Sequence, residues 1–446
     1  MAFLGLNLDT PKHSIVTRQI KLLKRLNLYP FLKVIEDSTG PVVRVQGKDV
    51  IMIGANNYLG LTHDPRVKRA AKEAIDRFGT GCTGSRMANG NMDIHLRLEQ
   101  KLREFLGKED CLMYSTGYMA NMGAVASMEH VLKDMTILSD DENHASIITG
   151  CQLSNARKMV YEHGNIQDLE KKMGLLKGQN KFVVTDGVFS MSGEVAKLGD
   201  ICALKDEKTV IYVDDAHGLG VLGKQGRGTC DHLGVADRVE LIFGTFSKSF
   251  ASIGGFVAGS KSIVDYLRHK SRSFIFSASL PPSAVATAEK ALDIFSSEPE
   301  HLENLWKNSN YMRKGFKELG LNTMNSSTPI IPIFVGSEYL TLLLCSKLFE
   351  HGIYVSPVIY PGVPLGKAMV RTSYMATHTK QHLDFVLDKF DYFFNKNKLT
   401  NPIFYQHRWN EAKDFAKAKL LFSKDDELEL QQALVASSQR FHELSV

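Results

Sequence analysis

Long apolar runs are absent from this 446-residue sequence. None approaches the ~18 to 20 consecutive hydrophobic residues that a membrane-crossing helix needs. The opening "MAFLGLNLDTPKHSIVTRQIKLLKRLNLYPF" lacks the basic-then-apolar order and small-residue cleavage site of a secretory signal, so a cytoplasmic protein is expected. Cysteine is scarce. The six that occur (Cys82, Cys111, Cys151, Cys202, Cys230 and Cys345) show no C-x-x-C spacing. That argues against a zinc site or a disulfide framework and suits small buried thiols in a reducing compartment, with no metal bound. Basic stripes with interleaved aromatics are also missing, so nucleic acid is not an expected partner. The formal charge of +5 comes from basic residues spread among acids, which serves solubility and would favour a polyanionic ligand. Low-complexity tracts and internal repeats are absent.

What is present is an ordinary globular composition, 43% hydrophobic and 23% charged, in a chain long enough for two domains. Short β-rich runs alternate with helical patterns between about residues 50 and 290. They are "DCLMYSTG" (110–117), "MTILSDD" (135–141), "KMVYEHG" (158–164), "KFVVTDG" (181–187), "TVIYVDD" (209–215) and "LIFGTFS" (241–247). Most are continuous apolar runs, the pattern of strands covered on both faces, which predicts an α/β fold with a mostly parallel sheet. A helix is signalled from Asp64 and Pro65 to Gly79, with Val67, Ala70, Ala71, Ala74, Ile75 and Phe78 on one face. The run "SSEPE" (296–300) marks a boundary. Beyond it, Leu302, Leu305, Trp306, Met312, Phe316 and Leu319 outline one amphipathic helix, and Leu383, Val386, Leu387, Phe390 and Phe394 another. The strands "TPIIPIFVG" and "MVRTSYM" between them complete a smaller α+β domain. The expected division is an N-terminal segment (1–50), a large domain (51–295), a small C-terminal domain (296–400) and a helical appendage (401–446).

One stretch, "VIYVDDAHGLGVLGKQGRG" (210–228), offers two chemistries. Gly218 to Gly223 match G-x-G-x-x-G, the dinucleotide fingerprint, yet such a turn follows its strand directly and opens a helix. Here two aspartates and a histidine intervene, and the following "KQGRGTCDHLG" is too glycine-rich to begin a helix. The alternative makes the strand's end the working part, since ligands of α/β sheets sit beyond the carboxyl ends of strands. A carboxylate at Asp214 would keep a heterocyclic nitrogen protonated, and His217 would reach a neighbouring ring oxygen. One strand later, "GTFSKSFASIGGF" sets Lys248 among small residues. A lysine that forms a Schiff base and an acid against a pyridinium nitrogen are the minimum equipment for pyridoxal phosphate (PLP). "YSTGYMANMG" (114–123) places Gly117 before a helix whose exposed N–H groups suit a phosphate. Thr245 is a candidate phosphate donor. His144 follows another strand, where it could stack on a ring, and Ser190 lies in the loop "TDGVFSMSG".

Together these segments resemble the α-oxoamine synthases, PLP enzymes of fold type I. "GANNYLGL", "STGYMAN", "NHAS", "TDGVFSMSG", "VDDAHGLGVLG", "GTFSKSFASIGGF", "FSASLPP" and "RTSYMATHT" occur in that family's order and spacing, from about residue 45 to 395. The resemblance implies a homodimer with active sites shared at the subunit boundary. It makes Lys248 the Schiff-base lysine, Asp214 the pyridinium partner, and His217 and Ser190 the contacts to the ring hydroxyl. It stacks His144 on the ring, and gives the phosphate to Gly117, Tyr118, Thr245 and, from the partner subunit, Ser277. It assigns the amino-acid carboxylate to Arg371, with Asn56 nearby; a guanidinium suits that task because it grips a carboxylate bidentately. "FGTGCTGSRMANGNMDIHLRLEQKL", "EPEHLENLWKN" and "MATHT" are most similar to the bacterial serine palmitoyltransferase branch. That implies L-serine and a long-chain acyl-CoA as substrates, a sphingoid product and, through that lipid, peripheral membrane contact. The other readings are an α-oxoamine synthase of the glycine C-acetyltransferase or 8-amino-7-oxononanoate synthase type, an NAD dehydrogenase, and a non-catalytic partner subunit, which would not need Lys248.

Overall fold

The structure, a computed structural model, describes residues 20, 21, 23–25 and 28–396; the expected appendage 401–446 lies outside the described residues. Three short strands come first: β1 (Ile35–Ser38), β2 (Val42–Val45) and β3 (Lys48–Met52) form an antiparallel ribbon. Two helices follow, α1 (Pro65–Phe78) and α2 (Asp93–Leu106). Asp64 caps α1 by accepting from the Arg66 N–H, and Gly79 closes it, as the capping signals predict. Val67 and Ala74 are buried and Ala70 and Phe78 pack against the core, but Ile75 is 40% exposed. The true apolar stripe of α1 is therefore narrower than expected.

All six β-rich runs become strands of one seven-stranded sheet: β4 (Asp110–Tyr114), β5 (Thr136–Asp140), β6 (Arg157–Tyr161), β7 (Lys181–Asp186), β8 (Thr209–Asp214) and β9 (Leu241–Thr245). The seventh, β10 (Gly255–Gly259), was not expected as a strand; its apolar part is only Phe256–Ala258 between glycines. The order is β4-β10-β9-β8-β7-β5-β6, with β10 antiparallel to both neighbours and the other pairs parallel. Strands β5, β7, β9 and β10 are buried throughout, as expected for a sheet covered by helices on both faces. Among those helices are α3 (Gly117–Ser127) and α4 (Ala145–Leu153). This is the α/β architecture with a mostly parallel sheet that the sequence predicts. Its topology brings the carboxyl ends of β4, β5, β7, β8 and β9 to one edge.

After α5 (Pro282–Ser297), helix α6 (Glu300–Glu318) bridges two cores. Leu302, Leu305 and Trp306 pack with the large-sheet core, while Met312, Phe316 and Leu319 join a second. That second core gathers β11 (Ile330–Gly336), α7 (Glu338–Glu350), β12 (Ile353–Tyr354), β13 (Ser356–Val358), β14 (Ala368–Ser373) and α8 (Lys380–Asp391). Ile51 pairs with Val42 in β2 and with Ile353 in β12, and Ile53 lies in the second core. Residue 51 thus falls inside a strand that packs with the C-terminal unit, not at the edge of the large sheet. All six cysteines are free and buried. Among the described residues no helix is long and apolar enough to cross a membrane.

Candidate active site

At the shared strand edge lies a cavity of about 340 Å³. Its lining includes Gly117 and Tyr118 after β4, His144 after β5, Ser190 after β7, Asp214 and His217 at the end of β8, and Thr245 and Lys248 at the end of β9. Eight of the expected residues are therefore brought together, because parallel strands deliver successive loops to the same edge. Ser277 is set apart; it lines a separate small pocket with Arg86 and His95.

The floor is a hydrogen-bonded lattice. Asp214, 4% exposed, accepts from Asn121 Nδ2 at 2.6 Å and from the Ala216 N–H at 3.0 Å. His217 is buried, and its Nδ1 lies 2.7 Å from the Tyr58 hydroxyl. Desolvation, aided by the positive Lys248 and Arg371, holds its pKa well below the usual histidine value, so the imidazole stays neutral. His144 caps α4, with Nδ1 2.7 Å from Ser146 Oγ, and meets the Tyr118 ring edge-on at 6.4 Å. Part of His144 is open to solvent, yet the surrounding walls withhold enough water to lower its pKa as well. Lys248 is half-buried and hemmed in by protein. Desolvation pushes its pKa down to about 8, against the opposing pull of Asp214.

Arg371 comes from β14 in the second unit. Its Nε donates to the Ser190 carbonyl at 2.6 Å and its Nη2 to Asn56 Oδ1 at 3.0 Å. Both acceptors are neutral, and among the described residues no carboxylate lies within ion-pair distance of this buried guanidinium. Its charge is thus uncompensated beside the cavity, an arrangement that invites an anionic ligand group.

Four residues without an expected role belong to the site. Asn121, Ser146 and Tyr58 hold the expected ones in place. Asp186 ends β7 in register with Asp214, is 3% exposed, and has an Oδ1 without a partner. Burial, and then the neighbouring Asp214 charge, raise its pKa well above the carboxylate range. The strand-end argument that selects Asp214 applies equally to Asp186.

The glycine fingerprint resolves differently. No helix opens directly from it; a short turn, Lys224–Gly226, follows, and then a four-residue helix, Thr229–His232. The adjacent Asp215 is fully buried, and its carboxylate accepts from the Thr229 N–H at 2.7 Å and the Thr229 hydroxyl at 2.5 Å. A Cβ on Gly218 or on Gly228 would come within 1.9 Å of that carboxylate. Gly218 and Gly228 are there because the loop wraps tightly around Asp215.

The residues fit PLP. Thr116 caps α3, leaving the first N–H groups of a helix at the cavity wall, and a Cβ on Gly117 would strike Thr245 Oγ1 at 2.8 Å. A helix start kept bare of side chain suits a phosphate. Asp214 suits a pyridinium nitrogen and Lys248 an aldehyde.

Comparison with known proteins agrees. Residues 48–390 match the Aminotransferase class I and II family. The chain is 47% identical to a serine palmitoyltransferase of Bacteriovorax stolpii over 378 residues, 84% of this chain and 90% of that protein. It is 43% identical to an 8-amino-7-oxononanoate synthase of Thermoanaerobacter pseudethanolicus over 379 residues, 84% of this chain and 95% of that protein. A serine palmitoyltransferase solved with PLP superimposes with a TM-score of 0.83 at 36% identity, covering 86% of this chain and 97% of that one. Fold, strand-end cavity and likeness converge: the chain belongs to the Aminotransferase class I and II family, as a PLP-dependent enzyme of the α-oxoamine synthase kind.

Proposed function

We propose that the enzyme condenses L-serine with a long-chain acyl-CoA, palmitoyl-CoA being the type, and releases CoA and carbon dioxide to leave a 3-keto sphingoid base. The observation that carries this reading is Arg371, a buried cation beside the cavity whose protein partners are both neutral. An amino-acid carboxylate would complete it. Similarity to serine palmitoyltransferases favours serine, while similarity to 8-amino-7-oxononanoate synthases supports a second reading, another small amino acid with a shorter acyl thioester.

PLP, when bound, supplies an aldehyde that holds the amino group and a protonated ring that accepts the electron pair of the α-carbon. Around it the chain's own residues divide the work. Asp214, accepting from Asn121 and Ala216, would hold a proton at the ring nitrogen by its charge. His217, neutral and braced by Tyr58, would meet the ring hydroxyl together with Ser190. Lys248, with a pKa brought down to about 8, has a free-amine fraction near neutral pH and takes the α-proton. His144 donates toward the oxyanion that develops on the attacked thioester. Arg371 and Asn56 grip the carboxylate. Gly117, Tyr118 and Thr245, with Ser277 of the partner subunit, would hold the phosphate. The working form is a cytoplasmic homodimer that meets the membrane only at its surface.

The test is a panel of serine, glycine and alanine against acyl-CoAs from acetyl to palmitoyl, read by CoA and carbon dioxide release. Serine with palmitoyl-CoA is expected to give the highest kcat/KM. A maximum with alanine or glycine and a shorter acyl group would replace this reading with the second one.

A further inference from the structure

We propose that Asn121 is a positioning residue that ties the charge state of Asp214 to the tautomer of His144. Asn121 projects from α3, is 1% exposed, and has every polar group engaged. Its Oδ1 accepts from the Tyr212 hydroxyl at 2.7 Å. Its Nδ2 donates to Asp214 Oδ2 at 2.6 Å and to Ser146 Oγ at 2.9 Å. Ser146 Oγ accepts from the amide, so its own proton is not used there. The Ser146 N–H donates to His144 Nδ1 at 3.3 Å, which makes that nitrogen an acceptor, and the free hydroxyl proton goes to it across 2.7 Å. Two donors on Nδ1 leave the ring proton on Nε2 and oppose a second proton.

The direction of this relay depends on Asp214. Turning the amide over would set Asn121 Oδ1 against a carboxylate oxygen 2.6 Å away, two acceptors with no proton between them. A charged Asp214 therefore fixes the amide, the amide fixes the Ser146 hydroxyl, and the hydroxyl fixes His144. A neutral Asp214 releases the first link. Three elements contribute, β8 through Tyr212 and Asp214, α3 through Asn121, and α4 through Ser146 and its cap His144. The other groups facing the pair are Lys248 after β9, His217 after β8, Asp186 at the end of β7 and the Tyr118 ring on α3. Of these, Lys248 disfavours the imidazolium and Asp214 favours it.

The inference rests on the cavity being the PLP site and is independent of which amino acid and acyl chain are used. The test uses the PLP-loaded, full-length enzyme with ¹⁵N-labelled histidine, the His144 signals being identified by their loss in His144→Gln. Two readouts are followed against pH: the titration and tautomer of His144, and the visible absorption of the cofactor. Ser146→Ala is expected to raise the His144 midpoint by about half a pH unit or more and to admit the Nδ1–H tautomer. It should leave the cofactor's pH profile in place, because the Asp214 arm is intact. Ser146→Thr, which keeps the hydroxyl, should restore His144. Asn121→Ala should shift both readouts. If that variant fails to fold, Asn121→Ser, which removes the amide but keeps a small polar group under the Tyr212 hydroxyl, is read in the same way. A His144 titration unmoved by Ser146→Ala, or wild-type readouts in a folded Asn121→Ala or Asn121→Ser, overturns the proposal. So does a Ser146→Ala variant that moves the cofactor profile as far as Asn121→Ala does.

Discussion

Asp214 and Asp215 are neighbours in sequence and opposites in use. Asp214 ends its strand facing the cavity, accepts from one side-chain amide and one backbone N–H, and has a ligand-sized space above it. Asp215 turns to the other side, where Thr229 supplies two donors and the glycine loop closes over it with no room to spare. Successive residues of an extended chain point to opposite faces, so one pair serves two regions. The comparison teaches that a buried, well-bonded acid is not thereby a functional one. What distinguishes Asp214 is the unfilled volume beside it, and what marks Asp215 as structural is that the protein itself satisfies it.

The largest expected effects lie on the cavity side. Lys248→Ala and Asp214→Asn should each lower turnover by about 10²- to 10⁴-fold, the range for losing a positioned proton-transfer or charge-holding group. The thermal midpoint of the apoprotein should stay near wild type. Lys248→Ala should also lose the visible band of the lysine-bound cofactor, and a variant that keeps both band and turnover would refute the assignment. The contrast with Asp215 fails if Asp214→Asn unfolds the protein while Asp215→Ala does not.

Asp215 should respond in stability. Burial pushes its pKa up to about 7 against the lowering effect of the Thr229 bonds. The folded protein then holds a proton that the unfolded chain releases near pH 4, so Asp215's contribution to stability is greatest below about pH 4 and is lost between there and about pH 7. The slope contributed approaches about 1.4 kcal/mol per pH unit within that window. Asp215→Ala should flatten it. At neutral pH the same variant leaves both Thr229 donors unpaired, which should cost about 2 to 4 kcal/mol in chemical denaturation. Its kcat per folded molecule should change by less than about twofold, as for a change outside the reacting groups. A large kcat loss at unchanged stability would reverse the roles given to the two aspartates.

How much of this was legible in the sequence follows from the same physics. The six β-rich runs and their order could be read because strands buried on both faces are written as continuous apolar letters. Lys248, His217 and Asp214 stood out because strand ends are where such sheets hold ligands. The strand Gly255–Gly259 did not, since three apolar residues between glycines read as a turn. Asn121 and Ser146 were hidden for another reason. They face inward from the helices Gly117–Ser127 and Ala145–Leu153, where a single small polar residue carries no signal of its own, and their role exists only through partners 93 and 25 residues away. Nor does alternation alone say which of Asp214 and Asp215 faces the ligand; only the packing of the glycine loop decides that. The position of Ile51, paired on one side with Val42 of β2 and on the other with β12 of the second unit, depends on a partner 302 residues distant, Ile353.

A smaller effect sharpens the cavity side. Arg371→Lys removes the planar fork that reaches both Asn56 and the Ser190 carbonyl. The charge survives but the bidentate grip does not, so KM for the amino acid should rise about tenfold with kcat changed less. Steady-state kinetics at saturating acyl-CoA would measure it. An unchanged KM would mean that the carboxylate is held elsewhere, and Arg371 would join Asp215 among the structural groups.

The smallest expected effect is a coupling on the Asp215 side. Gly218→Ala places a methyl group 1.9 Å from Asp215 Oδ1 and 2.2 Å from Thr229 Oγ1, so the loop or the carboxylate must shift, at a cost of about 1 to 3 kcal/mol. Asp215→Ala vacates that space. In the double variant the methyl group enters room that the carboxylate has left, and the two losses should fall short of their sum by about 1 kcal/mol. Additivity in a double-mutant cycle would mean that the glycine is needed for something other than the approach of Asp215. Sub-additivity, with turnover per folded molecule held level across the cycle, would place Gly218 on the structural side. Its place in the fingerprint would then be accounted for by the carboxylate it approaches, as Gly220 and Gly223 are set against Ser249 and Asp231.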